Sequence, residues 1–382
     1  MSDRLTDVGS ARLAVGATAL LLAVSAVGVL VLLLTLLPGG LPPGGPVADG
    51  GDRPGSSAPA SPPAPTAAPV RMPAGLPDTA AVSCPDGARD PGRDVEVTDA
   101  EELQEALDEA GPGDLVTLAD GVYEGEFTAS ADGTETDPVW VCGRAGAVLQ
   151  GPGTDDGFVL HLQGVAHWRL VGFTVREGQK GVMADGTTSS VLQDLTVTEI
   201  GDEAVHLRTG STDNVVRGLT ISDTGQRKER FGEGVYVGTA ESNWCDLSDC
   251  EPDESDRNVI TANTITDTTA EAVDIKEGTT GGVVHGNTFD GAGMADDTDS
   301  WVDLKGNGWL VQANRGTTSE RSGFEVQEVV DGWGTDNTFD GNTADVRGPG
   351  YGIDVKDVDG NRVTCSNEAI DAEEGLSTIE CT

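Results

Sequence analysis

Short runs in which apolar and polar residues alternate fill the chain beyond Phe158. One phrase returns as LHLQ at 160, VHLR at 205, VYVG at 235, VDIK at 273, VDLK at 302, FEVQ at 324 and IDVK at 353. In a strand, each puts its aliphatic residues on one face and its polar residues on the other. A second phrase falls between the copies of the first: LVGFTV at 170, LQDLTV at 192, VRGLTI at 216, ITANTI at 260, VHGNTF at 284, VQANRG at 311 and FDGNTA at 339. The closest copies lie about 22 to 30 residues apart, a period that marks a solenoid. The runs are short and β-branched, and Gly, Asn and Asp break them, so they predict strands rather than helices. A unit this small buries its apolar face only by stacking on its neighbours. The pattern therefore predicts an all-β fold, a right-handed parallel β-helix with one coil per repeat and Val, Ile and Leu pointing inward. The column Phe173, Leu195, Leu219, Asn263, Asn287, Asn314, Asn342 changes from apolar to Asn. Asn tolerates the left-handed conformation of a sharp turn, and stacked Asn side chains can bond along the axis.

Three further segments precede the repeats. VTDAEELQEALDEAGPGD, from 97, predicts an amphipathic helix capped by Thr98 or Asp99, with Leu103 and Leu107 on one face and Gly111 and Pro112 ending it. Such a helix would cap the N-terminal end of the solenoid, which otherwise exposes strand edges. Leu13–Leu37 carries no charged residue, and at about 1.5 Å per residue it would span a bilayer core of about 30 Å. It reads as a transmembrane signal anchor after a short cytoplasmic tail, residues 1–12, whose Arg4 and Arg12 favour that orientation. Residues 38–93, rich in Pro, Ala, Gly and Ser, read as a disordered spacer. The β-helix domain, 94–382, is then expected on the extracellular side of a membrane, or secreted if the hydrophobic segment is cleaved.

Composition narrows the partners. The chain has 65 acidic and 23 basic residues, a net charge of −42. That argues against nucleic acid, which needs a basic surface, and leaves carboxylates free for cations. The six cysteines, an even number outside the cell, predict disulfides, expected as the local pairs Cys84–Cys142, Cys245–Cys250 and Cys365–Cys381. A monomer is expected.

The opening LQEALDEAGPGDLVTLADGVYEG, the later GNTF phrases and the coil length resemble the pectin-lyase-like β-helix superfamily, and the opening is most similar to its polyuronate lyases of the pectate, alginate and chondroitin kind. The resemblance spans about residues 94–382. It implies the fold directly and an activity on acidic polysaccharide more loosely, because this fold carries several chemistries.

Aligning the first phrase gives two outward columns. One reads His161, His206, Tyr236, Asp274, Asp303, Glu325, Asp354, and the next reads Gln163, Arg208, Gly238, Lys276, Lys305, Gln327, Lys356. With coils about 4.8 Å apart, Asp274, Asp303 and Glu325 form a carboxylate ladder beside two lysines. As structure alone this is a salt-bridge ladder on an exposed face. As chemistry, stacked carboxylates can share a Ca²⁺, and a lysine beside such a cation has its pKa lowered toward use as a base. The reaction that needs this set is β-elimination of a polyuronate, in which a cation neutralises the carboxylate and a base removes the C5 proton. In similar lyases calcium and a lysine or arginine fill these roles. The expected assignment is Lys276 as base with Lys305 as its rival, Asp274, Asp303 and Glu325 on Ca²⁺, and Arg208 on the substrate carboxylate or leaving oxygen. Trp244, Trp301 and Trp309 lie close enough in sequence to stack on a sugar.

Two other readings stay open. GDEAVHLRTGS at 201 and GEGVYVG at 232 resemble polygalacturonase phrases, which would make Asp202, Glu203 and Glu233 the acid and base of a glycoside hydrolase; Glu233, however, stands where that family has histidine. An anchored β-helix also suits a carbohydrate-binding module or adhesin without catalysis.

Overall fold

The computed structural model describes residues 72–90 and 92–382. The expected cytoplasmic tail and membrane segment, and part of the spacer, lie outside the described residues. Among the described residues no helix is long and apolar enough to cross a membrane.

The two phrases fold as the alternation predicts, into a parallel β-helix of three sheets with eleven, ten and ten strands. The first phrase builds a ten-stranded sheet, called sheet I here. The start of the second phrase builds the eleven-stranded sheet II and its end builds the ten-stranded sheet III. All coil-to-coil pairings are parallel. In sheet I, Val182, Val205, Val235, Val273 and Val302 stack in register and are fully buried. Val197, Ile221, Ile265 and Phe289 do the same from sheet III.

The corner between sheets II and III is the tight one. The left-handed residue there is the one before the Asn column: Asp194, Gly218, Ala262, Gly286, Ala313 and Gly341 have φ of 53, 63, 56, 64, 55 and 63°. This corrects the expectation that Asn itself takes that conformation. Asn is instead the buried bonding residue. Asn263 Nδ2 donates to Asn287 Oδ1 at 2.9 Å, Asn287 to Asn314 at 2.9 Å, Asn314 to Asn342 at 3.0 Å and Asn342 to Asn367 at 2.9 Å. Each also donates to a backbone carbonyl, so the ladder satisfies groups that a turn this tight strips of water.

The helix spans Ala100–Asp108. Asp99 accepts from the Glu102 amide at 3.0 Å, and Glu102 accepts from the Thr98 amide at 2.8 Å, a reciprocal cap. Leu103, Ala106 and Leu107 are buried against Asp94–Val97, Gly121–Glu124 and Phe127–Ala129, the end strands of the three sheets.

The three tryptophans expected beside the columns are buried. Trp301 and Trp309 are fully buried and Trp244 nearly so, which corrects the expectation that they offer a face to a sugar. Trp301 fits because Gly316 and Gly323 are its neighbours and a Cβ at either would overlap the indole.

The three expected disulfides all form. Outside sheet II, Val191, Val215, Val259, Val283 and Leu310 make an apolar stripe on which Leu76 and Val82 pack. Val82 exchanges two backbone bonds with the Gln193 side chain, at 2.8 and 2.9 Å, and Cys84–Cys142 closes the far end of this strap.

Candidate active site

Sheet I stacks His161, Met183, His206, Tyr236, Asp274, Asp303, Glu325 and Asp354 in one outward row. The expected second row runs beside it from Gln163 through Arg208, Gly238, Lys276 and Lys305 to Gln327 and Lys356, with Asp185 taking the coil between Gln163 and Arg208. A third row flanks the other side, at the strand entrances: Lys180, Glu203, Glu233 and Glu271. The sequence placed Glu203 and Glu233 with Asp202 in the alternative hydrolase set, not in a row beside the columns, and Glu271 was missed. At that corner two successive residues point inward, as Gly234 and Val235 do, so the period of two breaks. The signal present in the sequence is the repeated KGV, EAV, EGV and EAV at 180, 203, 233 and 271.

The lysines thread the acids together. Lys276 Nζ lies 2.5 Å from Asp274 Oδ2, and Lys305 Nζ lies 2.9 Å from Asp274 Oδ1 and pairs with Asp303 as well. Gln327 Nε2 donates to Asp303 at 3.0 Å, and Lys356 pairs with Glu325. The face is not the exposed one expected: Asp274, Asp303 and Glu325 are 2, 5 and 1% exposed. Three adjacent rows of long side chains cover one another. Burial acts to lower the pKa of Lys276, but the adjoining Asp274, with Asp303 and Glu271 behind it, outweighs that and raises it. Lys305 is raised by Asp274 and Asp303 against the same burial. Their side chains are 14 and 8% exposed, so Lys276 is the more accessible of the two.

The third row is charged differently. Glu233 is buried and its Oε2 has no hydrogen-bond partner; burial, then Asp274 and Glu203, pushes its pKa well up. Burial and Asp274 push Glu271 up to about 8. Glu203 goes the other way. Burial opposes its charge, but His206 and Lys180 hold it down at about 2. Carboxylate oxygens of Glu233, Glu271 and Asp274 lie within 4.8 Å of one another.

Tyr236 stands among these groups. Its ring centroid is 4.4 Å from that of His206, and Lys276 Nζ is 5.0 Å from it. Burial, with Asp274 and Glu233, holds its hydroxyl protonated. In the second row this coil presents Gly238, which has no side chain, between Arg208 and Lys276. Arg208 Nε donates to Asp185 at 2.6 Å, and Asp185 also takes His161 Nε2 at 2.8 Å. Asp202, the third residue of the hydrolase reading, is 1% exposed and is held by Arg227 at 2.5 and 3.0 Å and by Gln179 at 2.7 Å.

The coil of Tyr236 is enlarged at both edges. Fourteen residues separate Ile221 from Val235, where eight separate the equivalent Val197 from Val205 and Ile265 from Val273. Past the strand, twenty-two separate Val237 from Val259, where eight separate Leu207 from Val215 and Ile275 from Val283. The second enlargement holds the Cys245–Cys250 disulfide and is pinned by buried Asp253, which accepts from the Thr209 and Gly210 amides at 2.8 and 2.9 Å.

The crystal structure of an alginate lyase from Paenibacillus sp. str. FPU-7 matches this architecture with a TM-score of 0.65 and 32% sequence identity, over 74% of this chain and 99% of that one. This chain belongs to that lyase's family. Its place in the pectin-lyase-like superfamily, read from the opening segment and the coil length, is thereby established. The enzymatically active domain of Bacteriophage CBA120 tailspike protein 2 shares the fold at a TM-score of 0.52 and 10% identity, over 74% of this chain and 44% of that one. No family model matches the sequence, and no curated protein matches it.

The sequence expectation placed Ca²⁺ on Asp274, Asp303 and Glu325. Asp303 and Glu325 already face lysine ammonium groups, which occupy the oxygens a cation would use. Glu233 and Glu271 fit better, with Asp274 beside them, although each Asp274 oxygen also meets a lysine, Lys276 or Lys305. Carboxylate oxygens of the three converge and Glu233 Oε2 is buried without a hydrogen-bond partner; burial, with Asp274 nearby, raises both glutamates, a shift that a bound cation would reverse.

Proposed function

We propose that this protein is a lyase that cleaves an acidic polysaccharide of the polyuronate class by β-elimination, with alginate as the first substrate to consider. The 32% identity with the Paenibacillus alginate lyase over nearly all of that chain supports the substrate class. The observation that carries the chemistry is the pairing of Tyr236 with Lys276, 5.0 Å from ring to ammonium, amid buried carboxylates.

In this reading a uronate lies over Tyr236 with its carboxylate facing Arg208 and Lys276. Lys276 takes the C5 proton, the C4–O bond breaks, and a C4=C5 double bond forms. The Tyr236 hydroxyl, kept protonated by its surroundings, delivers a proton to the leaving oxygen. Lys276 is the better base than Lys305, which is held between Asp274 and Asp303. Asp274 keeps Lys276 charged, so the base role requires that its field be offset. Glu233, Glu271 and Asp274 would hold a Ca²⁺, which supplies that offsetting charge and acidifies the proton beside the uronate carboxylate.

The test is incubation with a panel of polyuronates, with Ca²⁺ or with EDTA, while near-UV absorbance reports unsaturated uronate ends. Alginate should give a rising signal that EDTA reduces. Lys276→Ala should lower kcat by about a hundredfold or more, the usual worth of a general base, with the fold retained by circular dichroism and a lower melting temperature, because buried Asp274 loses a partner. New reducing ends without absorbance would move the activity to hydrolysis. The opposite shifts of Glu203 and Glu233, one lowered and one raised, favour that second reading, because such a split suits a base and an acid.

A further inference from the structure

Apart from Glu233 at its end, the smaller enlargement, between Ile221 and Val235, takes no part in the reaction just described, and its composition is unlike the rest of the chain. In a sequence of net charge −42, three of the four residues 227–230 are basic: Arg227, Lys228 and Arg230. Their uses differ. Arg227 is structural, clamped on buried Asp202 and tied through its own amide to the Gly201 carbonyl at 2.8 Å. Lys228 and Arg230 are exposed, and among the described residues neither pairs with a carboxylate. Both lie against Phe231 instead, at 5.4 and 4.6 Å from the ring centroid.

The loop is held firmly at the mouth of the acidic third row. Thr224 Oγ1 donates to the Gly232 carbonyl at 2.5 Å, next to Glu233. Thr269 Oγ1, two residues before Glu271, donates to the Glu229 carbonyl at 2.7 Å. Two cations left unpaired on so acidic a surface are not explained by the fold, since acids to pair with are abundant. A polyanion approaching this protein meets net repulsion, and a local basic rim is what lets it settle at one place. Packing on the Phe231 ring also narrows the rotamers of both side chains before any ligand arrives, which reduces the entropy lost on binding.

We propose that Lys228 and Arg230, arrayed on Phe231, form a subsite for the carboxylate of a uronate neighbouring the one over Tyr236. The subsite rests on the polyuronate reading and deepens it. It selects for a charged unit away from the point of cleavage, so it should govern affinity and not the chemical step.

The test measures binding and turnover separately, with alginate and polygalacturonate oligomers as the probes. Lys228→Ala/Arg230→Ala should weaken the calorimetric Kd by about tenfold, as for the loss of two charge-assisted contacts, leave kcat within about twofold, and flatten the salt dependence of Kd. Lys228→Gln and Arg230→Gln, each with about a threefold effect, answer the question if the double variant misfolds. An unchanged Kd in the variants overturns the subsite while leaving the lyase standing. Wild-type protein that binds an oligomer without cleaving it removes the lyase reading, and the variants' Kd still decides the subsite. Wild-type protein that binds neither probe overturns both.

Discussion

At the scale of single residues, the candidate site works by opposing fields. Asp274 touches two lysines and lies beside two glutamates that, among the described residues, form no ion pair, so one carboxylate sets the charge of most of its surroundings. Glu203 shows the consequence for stability. Its folded pKa, about 2, lies below its ordinary value of 4.5, so its contribution is complete above that ordinary value and is lost as pH falls through about 2. The gap corresponds to about 3 kcal/mol. The melting temperature should therefore drop between about pH 5 and pH 2, and Glu203→Gln should melt lower at pH 7 but lose less over that interval. An acid limb equally steep in the variant would show that another group is responsible. Asp274, Lys276 and Lys305 were legible in the sequence, because a strict period of two forces Asp-x-Lys onto one strand face. Glu271 was not, because the corner before the strand points two residues inward and hides the row in the wrong phase. The burial of the charges was also hidden, since it arises from contact between rows that only the coil spacing brings together.

At the scale of elements, the coil is defined by its corners. The Asn column was visible as a column, and its bonding along the axis was expected. The left-handed residue was misplaced by one, because Asp194, Ala262 and Ala313 take that conformation without the glycine that would have marked it. The ladder makes a quantitative claim. Asn314 Nδ2 donates both to Asn342 and to the Val284 carbonyl, at 3.0 and 2.9 Å, while its Oδ1 receives Asn287. Asn314→Ala strands all three partners in the interior and should destabilise the protein by about 2–4 kcal/mol, read from denaturant midpoints. Asn314→Asp, which keeps the acceptor and loses the donors, should fall between. A loss below about 0.5 kcal/mol would mean that water replaces the side chain and that the ladder is decorative.

At the scale of the molecule, chain length varies at the corners while the strands keep register. The eight-residue corners that become fourteen and twenty-two around Tyr236 leave Val205, Val235 and Val273 stacked as before. Alternation along the strands made the solenoid legible, whereas the insertions have no period and gave no sign of which coil they would frame. The strap at Leu76–Cys84 is the part that pattern reading could least detect, since it sits in low-complexity sequence. It bears directly on where the protein may be shortened. A chain started at residue 94, where the regular pattern begins, would uncover five aliphatic side chains on the outside of sheet II and leave Cys142 with no sulfur to meet. Light scattering and thiol titration should find that shortened form self-associating and carrying one reactive thiol, while a chain started at residue 72 stays dispersed and thiol-free. The practical edge of this β-helix is set by a passing ribbon of non-repetitive chain.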